Sequence, residues 1–316
     1  MLYNPLRQSD LSTQIMASVS IVISTYNRAQ MLQRAIESAQ QAGSDLEVIV
    51  VDDCSTDETP ELCARLKNIR YFRLESNRGL ANGRNVGIAE SASEFIAFLD
   101  DDDLRLPGSI DKQLRVLHKN PGAALCFGQT LLADARRQLP TGEMYPLRCP
   151  QGDIFWELLE HNFIPMPTVV ARRSSLLDSD CFNTEVNPLE DWDMWLRMSE
   201  RFPVVALEEP VAIYRKAIAE SGQMCSNPAS VCQQALFVQQ MALNRPRALK
   251  APRAKRREVR RKLRDRVYEI LMTEATNSIQ AGDTDSARAS LRDAFRYRPV
   301  RTVVSGRLPW LLPGLR

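Results

Sequence analysis

Residues 19–43 read VSIVISTYNRAQMLQRAIESAQQAG, and their period changes part-way along. VSIVIS is a continuous, largely β-branched run of the kind that fills a strand buried on both faces of a sheet. From Ala29 onward Met31, Leu32, Ala35, Ile36 and Ala39 recur at helical spacing, and Gly43 supplies a stop. The unit repeats. LEVIVVDD (46–53) reads as a second buried strand, Thr59-Pro60 opens a helix through Cys63 and Leu66, and IRYFRLE (69–75) is a third strand. EFIAFLD (94–100) is a fourth, after LANGRNVGIAES. Strands alternating with helices predict right-handed βαβ crossovers and an α/β fold with a mostly parallel, Rossmann-like sheet flanked by helices. Ligands of such sheets gather beyond the carboxyl ends of the strands.

The composition sets outer bounds. A chain of 316 residues with 44% apolar content can fill one large domain or two ordinary ones. The net charge of +2 hides an asymmetry: from Arg245 onward 19 Lys and Arg face 7 Asp and Glu, which leaves −10 for residues 1–244. The seven cysteines are scattered, odd in number and without a C-x-x-C pair, against a disulfide framework or zinc site and in favour of a reducing cytosol. No apolar run approaches the roughly 20 residues that span a bilayer, and the polar start MLYNPLRQSDLSTQ lacks a signal-peptide core. A cytoplasmic protein, or one peripheral on the inner face of the membrane, is expected.

Three acidic or polar loops leave strand ends: STYNR after the first, DDCSTD after the second and DDDD after the fourth. On a parallel sheet they converge, crowding Asp52, Asp53, Asp57 and Asp100 to Asp103 into one crevice. Such a rim repels a nucleotide phosphate unless a divalent cation lies between, and Asp100 and Asp102, one residue apart, suit Mg²⁺ or Mn²⁺. The blander alternative is capping chemistry for the helix PGSIDKQLRVLHK, a role that suits Asp103. G-x-G-x-x-G after the first strand and the P-loop are both missing, so a nucleotide must be held by another scheme.

VSIVISTYNRAQMLQRAIESA, VIVVDDCSTDET, NRGLANGRNVGIAES, FIAFLDDDDLRLPGSI and LEDWDMWLRM, in that order across about residues 19–215, resemble the family 2 glycosyltransferases of GT-A fold. The resemblance implies an inverting transfer of one sugar from a nucleotide-sugar, commonly a UDP-sugar, assisted by Mn²⁺ or Mg²⁺. It implies a glycan, glycolipid or protein hydroxyl as acceptor, in cell-surface polysaccharide or lipopolysaccharide biosynthesis. Thr25, Tyr26 and Arg28 then match the loop around base and ribose. Asp52 matches the acceptor of a uracil hydrogen bond, with Asp53 shaping the turn, and Arg84 matches an arginine near the nucleotide. Gly79, Gly83 and Gly87 let backbone approach backbone. Asp100 and Asp102 match the metal-binding D-x-D pair, with Asp101 lying toward the donor sugar or merely continuing the turn. The catalytic base is expected in LEDWDMWLRM as Asp191, with Glu190 as second choice; the alternative is a helix cap, with Trp192, Trp195 and Leu196 as core.

The sequence also departs from the family pattern. A histidine that often follows the Tyr-Arg pair is replaced in Tyr214-Arg215-Lys216-Ala217, leaving Arg215 as a diphosphate contact or a structural ion pair. His118 is expected at the surface, and His161 lies in a stretch that in the family tends to face the acceptor. Q-x-x-R-W of processive relatives is absent, so one sugar per encounter is expected.

The chain divides as an N-terminal tail (1–17), a GT-A domain (18–230, nucleotide-binding half 18–105, acceptor half 106–230) and a basic α-helical C-terminal region (231–316). Residues 130–153 suggest an acceptor-facing flap. Twelve basic residues lie between Arg245 and Arg266. Beyond them a helical hairpin turns at Gly282-Asp283, with Ala287, Leu291, Ala294 and Phe295 as an apolar stripe resembling one tetratricopeptide-like unit. A single repeat must pack on the catalytic domain, a second subunit or a partner. The end, VVSGRLPWLLPGLR, suits either a membrane interface or a tuck against the body. Two rival readings are an inactive glycosyltransferase-like assembly protein and a nucleic-acid binder. The acidic body and the lack of a nucleic-acid module count against the second.

Overall fold

A computed structural model describes residues 17–134, 139–215, 228–299 and 301. The apolar run of β1 (Val19–Thr25) is buried along its whole length, between β2 (Leu46–Asp52) and β4 (Phe95–Asp100) and parallel to both. Ile21 and Ile23 pack with Leu32 and Ile36 of α1 (Ala29–Gln40) and Leu117 of α4 (Ser109–Lys119). Val22 points the other way, into a core shared with Ile88 of α3 (Leu80–Glu90). Two covered faces explain why the strand reads as continuous rather than alternating. β3 (Arg70–Arg73) adds a parallel edge beyond β2, following the short α2 (Thr59–Arg65).

The parallel character expected from the sequence holds across β3, β2, β1 and β4. Past β4 the sheet is mixed, in the order β3-β2-β1-β4-β8-β6-β9-β5 with β7 on β6. β8 (Val170–Arg172) runs antiparallel to β4 and to β6 (Leu125–Ala133). β9 (Val205–Arg215) is parallel to β6, while β5 (Leu104–Arg105) and β7 (Pro140–Tyr145) pair antiparallel to β9 and β6. β5 follows β4 and β7 follows β6 by connections too short for a parallel crossover, whereas the parallel pair β6 and β9 is separated by the helices Phe155–Leu158, Arg173–Asp178 and Glu190–Arg201.

Two close approaches set the position of α3. A Cβ at Gly83 would lie 2.1 Å from Ser24 Oγ, and one at Gly87 2.3 Å from Val22 Cγ1. Only glycine lets the helix rest this near β1. A buried polar pair joins the halves of the sheet. Arg105 donates to Gln113 Oε1 (2.8 Å) and to the carbonyls of Val169 (2.6 Å) and Phe98 (3.4 Å), and Gln113 donates to those of Thr168 and Cys126. Burial pushes the Arg105 guanidinium down to about 9.

α5 (Phe155–Leu158), α6 (Arg173–Asp178) and α7 (Glu190–Arg201) cover one face of the sheet near the cavity described below. α8 (Pro228–Leu243), α9 (Pro246–Lys250), α10 (Arg253–Gln280) and α11 (Thr284–Tyr297) follow. Val238, Val259, Leu263, Leu271 and Leu291 are buried in the same core as Trp192 and Met198 of α7. The helical hairpin therefore packs on the body of the protein. Its turn uses Gly282 at φ +78°, and Asp283 caps α11 by accepting from Ser286 N at 3.0 Å. Ala287, Leu291 and Ala294 are buried as expected, but Phe295 is 40% exposed and leaves the stripe, since its position turns away from α10. The expected tail before residue 17 and the segment VVSGRLPWLLPGLR lie outside the described residues.

Candidate active site

The loops after β1, β2 and β4 open onto a cavity of about 920 Å³. Thr25, Tyr26, Arg28, Asp53, Arg84 and Asp100 to Asp102 line it together with Thr130, Tyr145, Asn162, Glu190, Asp191 and Tyr214. Of the expected site residues, Asp52 and Arg215 are missing from this lining.

Every aspartate of the four-residue cluster has a polar partner. Asp100 accepts from Arg84 Nη2 at 2.6 Å. Asp101 accepts from Thr25 Oγ1 at 2.8 Å and Arg28 Nη1 at 3.0 Å. Asp102 Oδ2 accepts from Arg28 Nη1 at 3.0 Å and Arg215 Nη2 at 2.6 Å, so Arg215 supports the cavity floor through Asp102. Asp103 is buried, accepts Arg215 N–H through Oδ1 at 2.8 Å, and leaves Oδ2 without a partner among the described residues. It does not cap α4, which begins after Gly108 in a left-handed conformation. Burial raises the Asp101 carboxyl to about 6 against the pull of Arg28, with Asp102 adding to the rise. Burial, then Asp102 and Asp100, raise Asp103 well above the usual carboxylate range. Three arginines thus offset a repulsion that the chain would otherwise carry.

The second acidic loop is structural to a greater degree than its sequence suggests. Asp52 is fully buried: Oδ1 accepts Ser55 N–H at 2.8 Å and Oδ2 accepts Tyr71 Oη–H at 2.6 Å. With both oxygens engaged below the cavity, it does not fit the expected base-reading role. Asp53, expected only to shape the turn, is the one that lines the cavity, while accepting the N–H groups of Arg78 and Gly79 at 2.7 Å each. Asp57 turns away to cap, accepting Thr59 N–H at the start of α2 and Ala29 N–H at the start of α1.

Asp191 and Glu190 open α7, where Leu189 adopts φ +76° before the first turn. They part ways at once. Glu190 is buried and bound by Arg84 Nη1 at 2.5 Å, an ion pair that ties it to the arginine also holding Asp100. Asp191 is half-buried, and accepts Asn162 Nδ2–H at 3.0 Å and the N–H of Trp192 at 2.6 Å. Burial and then the charge of Glu190 push its carboxyl up to about 7, although Arg84 pulls the other way. Arg84 therefore bridges Asp100 to the residue beside Asp191. Its guanidinium lies 5.5 Å from the Phe182 ring, and Asn85 holds the backbone N–H and carbonyl of Phe182. Asp193 is occupied by Arg197 at 2.8 Å.

The family model for glycosyl transferase family 2 matches residues 20–178. The chain belongs to this family. An uncharacterized glycosyltransferase of Rickettsia bellii is 32% identical over 199 residues, which are 61% of this chain and 28% of that protein. The chain thus spans under a third of that relative's length. A GalNAc(5)-diNAcBac-PP-undecaprenol beta-1,3-glucosyltransferase of Campylobacter jejuni is 37% identical over 123 residues, 37% of this chain and 39% of that one. In fold, the chain is similar to residues 1–349 of S. aureus TarS in complex with UDP-GlcNAc, with a TM-score of 0.64 at 19% identity, covering 91% of this chain and 83% of that chain.

Within this family 2 glycosyltransferase, two carboxylate oxygens bear on metal binding. Asp100 Oδ2 and Asp102 Oδ1 have no hydrogen bond among the described residues, and both residues line the cavity. As hard oxygen donors they fit Mg²⁺ or Mn²⁺. Among the described residues no group of three or more His, Cys, Asp and Glu gathers to hold a metal, so remaining ligands would come from phosphate and water. His161 is no ligand candidate: it packs against Phe163 at 5.5 Å, and burial followed by the charge of Arg266 pushes it down to about 4. His118 is exposed against Phe95, as expected. Asn162, Tyr145 and Tyr214 were not singled out from the sequence. The only signals pointing toward the first two were the stretch around His161 and the expected flap over 130–153.

Proposed function

We propose that the protein transfers one sugar, with inversion, from a nucleotide-sugar to an acceptor hydroxyl, using Asp191 as general base. What supports this is the placing of a carboxyl with proton affinity near neutrality in the same cavity as Arg28 and Asp100 to Asp102, separated from Asp100 by Arg84. A base works best when its pKa lies near the working pH. Asp191 removes the acceptor proton, the freed oxygen forms a bond to the anomeric carbon, and the bond from that carbon to the diphosphate breaks on the opposite face. Asn162 fixes the carboxylate, and Arg28 lies where it can meet charge developing on the leaving diphosphate. A divalent cation held by Asp100 and Asp102 would supply further neutralisation of the diphosphate. Tyr26, 44% exposed at the cavity rim, is available to stack on the base, and Asp53 sits where ribose or base would pass.

A UDP-sugar as donor is the reading favoured by the family resemblance and by the likeness in fold to a UDP-GlcNAc complex. A role in building a cell-surface glycan is supported by the name of the Campylobacter relative. Isothermal titration with a panel of nucleotide-sugars, each with and without Mn²⁺, tests the proposal. One donor should bind with an affinity that rises with metal and falls in Asp102→Asn. Absence of binding across UDP-, GDP- and dTDP-sugars would remove the enzyme reading and leave the inactive assembly protein.

A further inference from the structure

Asp191 is held by a loop. Among the described residues its one side-chain donor is Asn162 Nδ2, at 3.0 Å, and Asn162 lies between α5 and β8 in neither helix nor strand. A loop residue turns freely unless other contacts fix it. Here the contacts come from several elements. Trp192 Nε1 of α7 and Gln239 Nε2 of α8 hold the carbonyls of Leu158 and Leu159, each at 2.8 Å, where the segment begins. Ile164 N–H donates to Asn162 Oδ1 at 3.2 Å, which sets the amide with its nitrogen, not its oxygen, toward Asp191. The Asn162 carbonyl itself accepts from Tyr145 Oη at 2.6 Å. Tyr145 ends β7, a hairpin strand whose other five residues are exposed, and it alone of that strand lines the cavity.

We propose that Tyr145 is a positioning residue for the base: its hydroxyl fixes the Asn162 main chain, and through it the amide that holds Asp191 toward the acceptor hydroxyl. The proposal rests on the reading of Asp191 as general base. By this route the β6–β7 hairpin acts on the reaction without touching the reacting atoms. Burial, opposed by Arg266 and aided by Asp191, raises the Tyr145 phenol above its ordinary value, so it stays a donor at neutral pH. Tyr145→Phe therefore removes a bond and no charge. Glu190 of the same helix, Arg84 of α3 and Asp100 of β4 are the charged groups that act on Asp191, and the variant leaves all three in place. His161, next to Asn162, is pushed down to about 4 and is neutral in the same range.

A measurement that needs no substrate tests this. Full-length protein labelled with ¹³C at its aspartate carboxyls is titrated by NMR, the Asp191 signal being the one missing from Asp191→Asn. In Tyr145→Phe the Asp191 titration should move upward by roughly half a pH unit, because a loosened Asn162 amide favours the charged form less. Asn162→Ala should move it further the same way, and adding Tyr145→Phe to Asn162→Ala should move it no more, as required of a residue that acts through another. Thr141→Val removes a hydroxyl bond to the Leu132 carbonyl within the same hairpin and should leave the titration where it was. In turnover of the nucleotide-sugar that calorimetry selects, with water as acceptor, Tyr145→Phe should lower kcat about tenfold with KM unchanged, since a misplacement of about 1 Å can cost about a hundredfold. A cooperative thermal transition shows that each variant is folded. An unmoved Asp191 titration or an unchanged kcat in Tyr145→Phe overturns the inference. So does equal movement in Thr141→Val, which would mean general loosening of the hairpin, or full additivity in the double variant, which would mean that Tyr145 acts without Asn162. Full turnover in Asp191→Asn, with the titrations as expected, would remove the reading of the base and leave the linkage of Tyr145, Asn162 and Asp191 standing, so the two fail separately.

Discussion

The two walls of the cavity handle carboxylates in opposite ways. Around Asp100 to Asp103, acids are interlocked with Arg28, Arg84 and Arg215, and among the described residues what is left unpaired is single oxygens of Asp100, Asp102 and Asp103. At the start of α7, two adjacent acids share essentially one arginine. Glu190 takes it, and Asp191 is left to raise its proton affinity to about 7. The same residue type is thus scaffold where its charge is cancelled and a proton acceptor where its cancellation is incomplete. Asp52 and Asp57, saturated by local donors, lie at the scaffold extreme.

The sharpest way to break the contrast is Asp191→Asn. Transfer should fall by about 10²–10⁴-fold, as expected for loss of a general base, while titration of the nucleotide-sugar gives an unchanged affinity. Undiminished transfer would put the base elsewhere. Arg84→Met comes next, because it strands Glu190 and Asp100 together. Urea unfolding should show a loss of about 3–5 kcal/mol, the usual cost of breaking a buried ion pair from one side. A loss under 1 kcal/mol would mean that the two acids find other partners. Asp52→Asn should cost about 1–2 kcal/mol, because the neutral amide keeps Ser55 N–H through Oδ1 and turns the Tyr71 bond round, donating to Oη, but loses the charge assistance of both bonds, yet leave nucleotide affinity as it was. A large fall in affinity without a stability change would restore its base-reading role. The smallest effect belongs to Asn162→Ala. In the wild type kcat/KM should fall about tenfold per pH unit below about 7, where Asp191 becomes protonated, and level off above it. Removing the Asn162 N–H takes away a bond that favours the charged form, so the inflection should move to higher pH. A shift downward would show that Asn162 does not hold the ionised carboxylate.

The parallel half of the sheet was legible because strands covered on both faces are written as unbroken apolar runs, and β1, β2 and β4 match those runs within a residue or two. The crowding of Asp100 to Asp102 into the cavity followed from strand order alone. The distinction between Asp52 and Asp53 did not, since neighbouring residues at a strand end point opposite ways and the sequence does not say which way faces the ligand. Asp103 read as a cap by its nearness to Pro107, but its partner is the backbone of Arg215, 112 residues away. Asn162 and Tyr145 carry no pattern at all; Asn162 meets Asp191 because the loop before β8 crosses the start of α7, and Tyr145 at the end of β7 meets the Asn162 carbonyl. The charge of α10 was plain from composition, whereas its packing beside Trp156 and Glu160 is set by contacts of Lys255 and Lys262 that no sequence pattern announces.

The Arg105–Gln113 pair has a consequence for movement. Its donors are spread over the carbonyls of Phe98 in β4, Cys126 in β6, and Thr168 and Val169 in the turn before β8. Swinging one half of the sheet away from the other would strip a buried guanidinium and a buried amide of acceptors that no water is there to replace, at a cost of several kcal/mol. Opening and closing around a substrate is therefore not a hinge between halves. Any widening of the cavity falls instead to the loops at its rim, which this pair does not tie down.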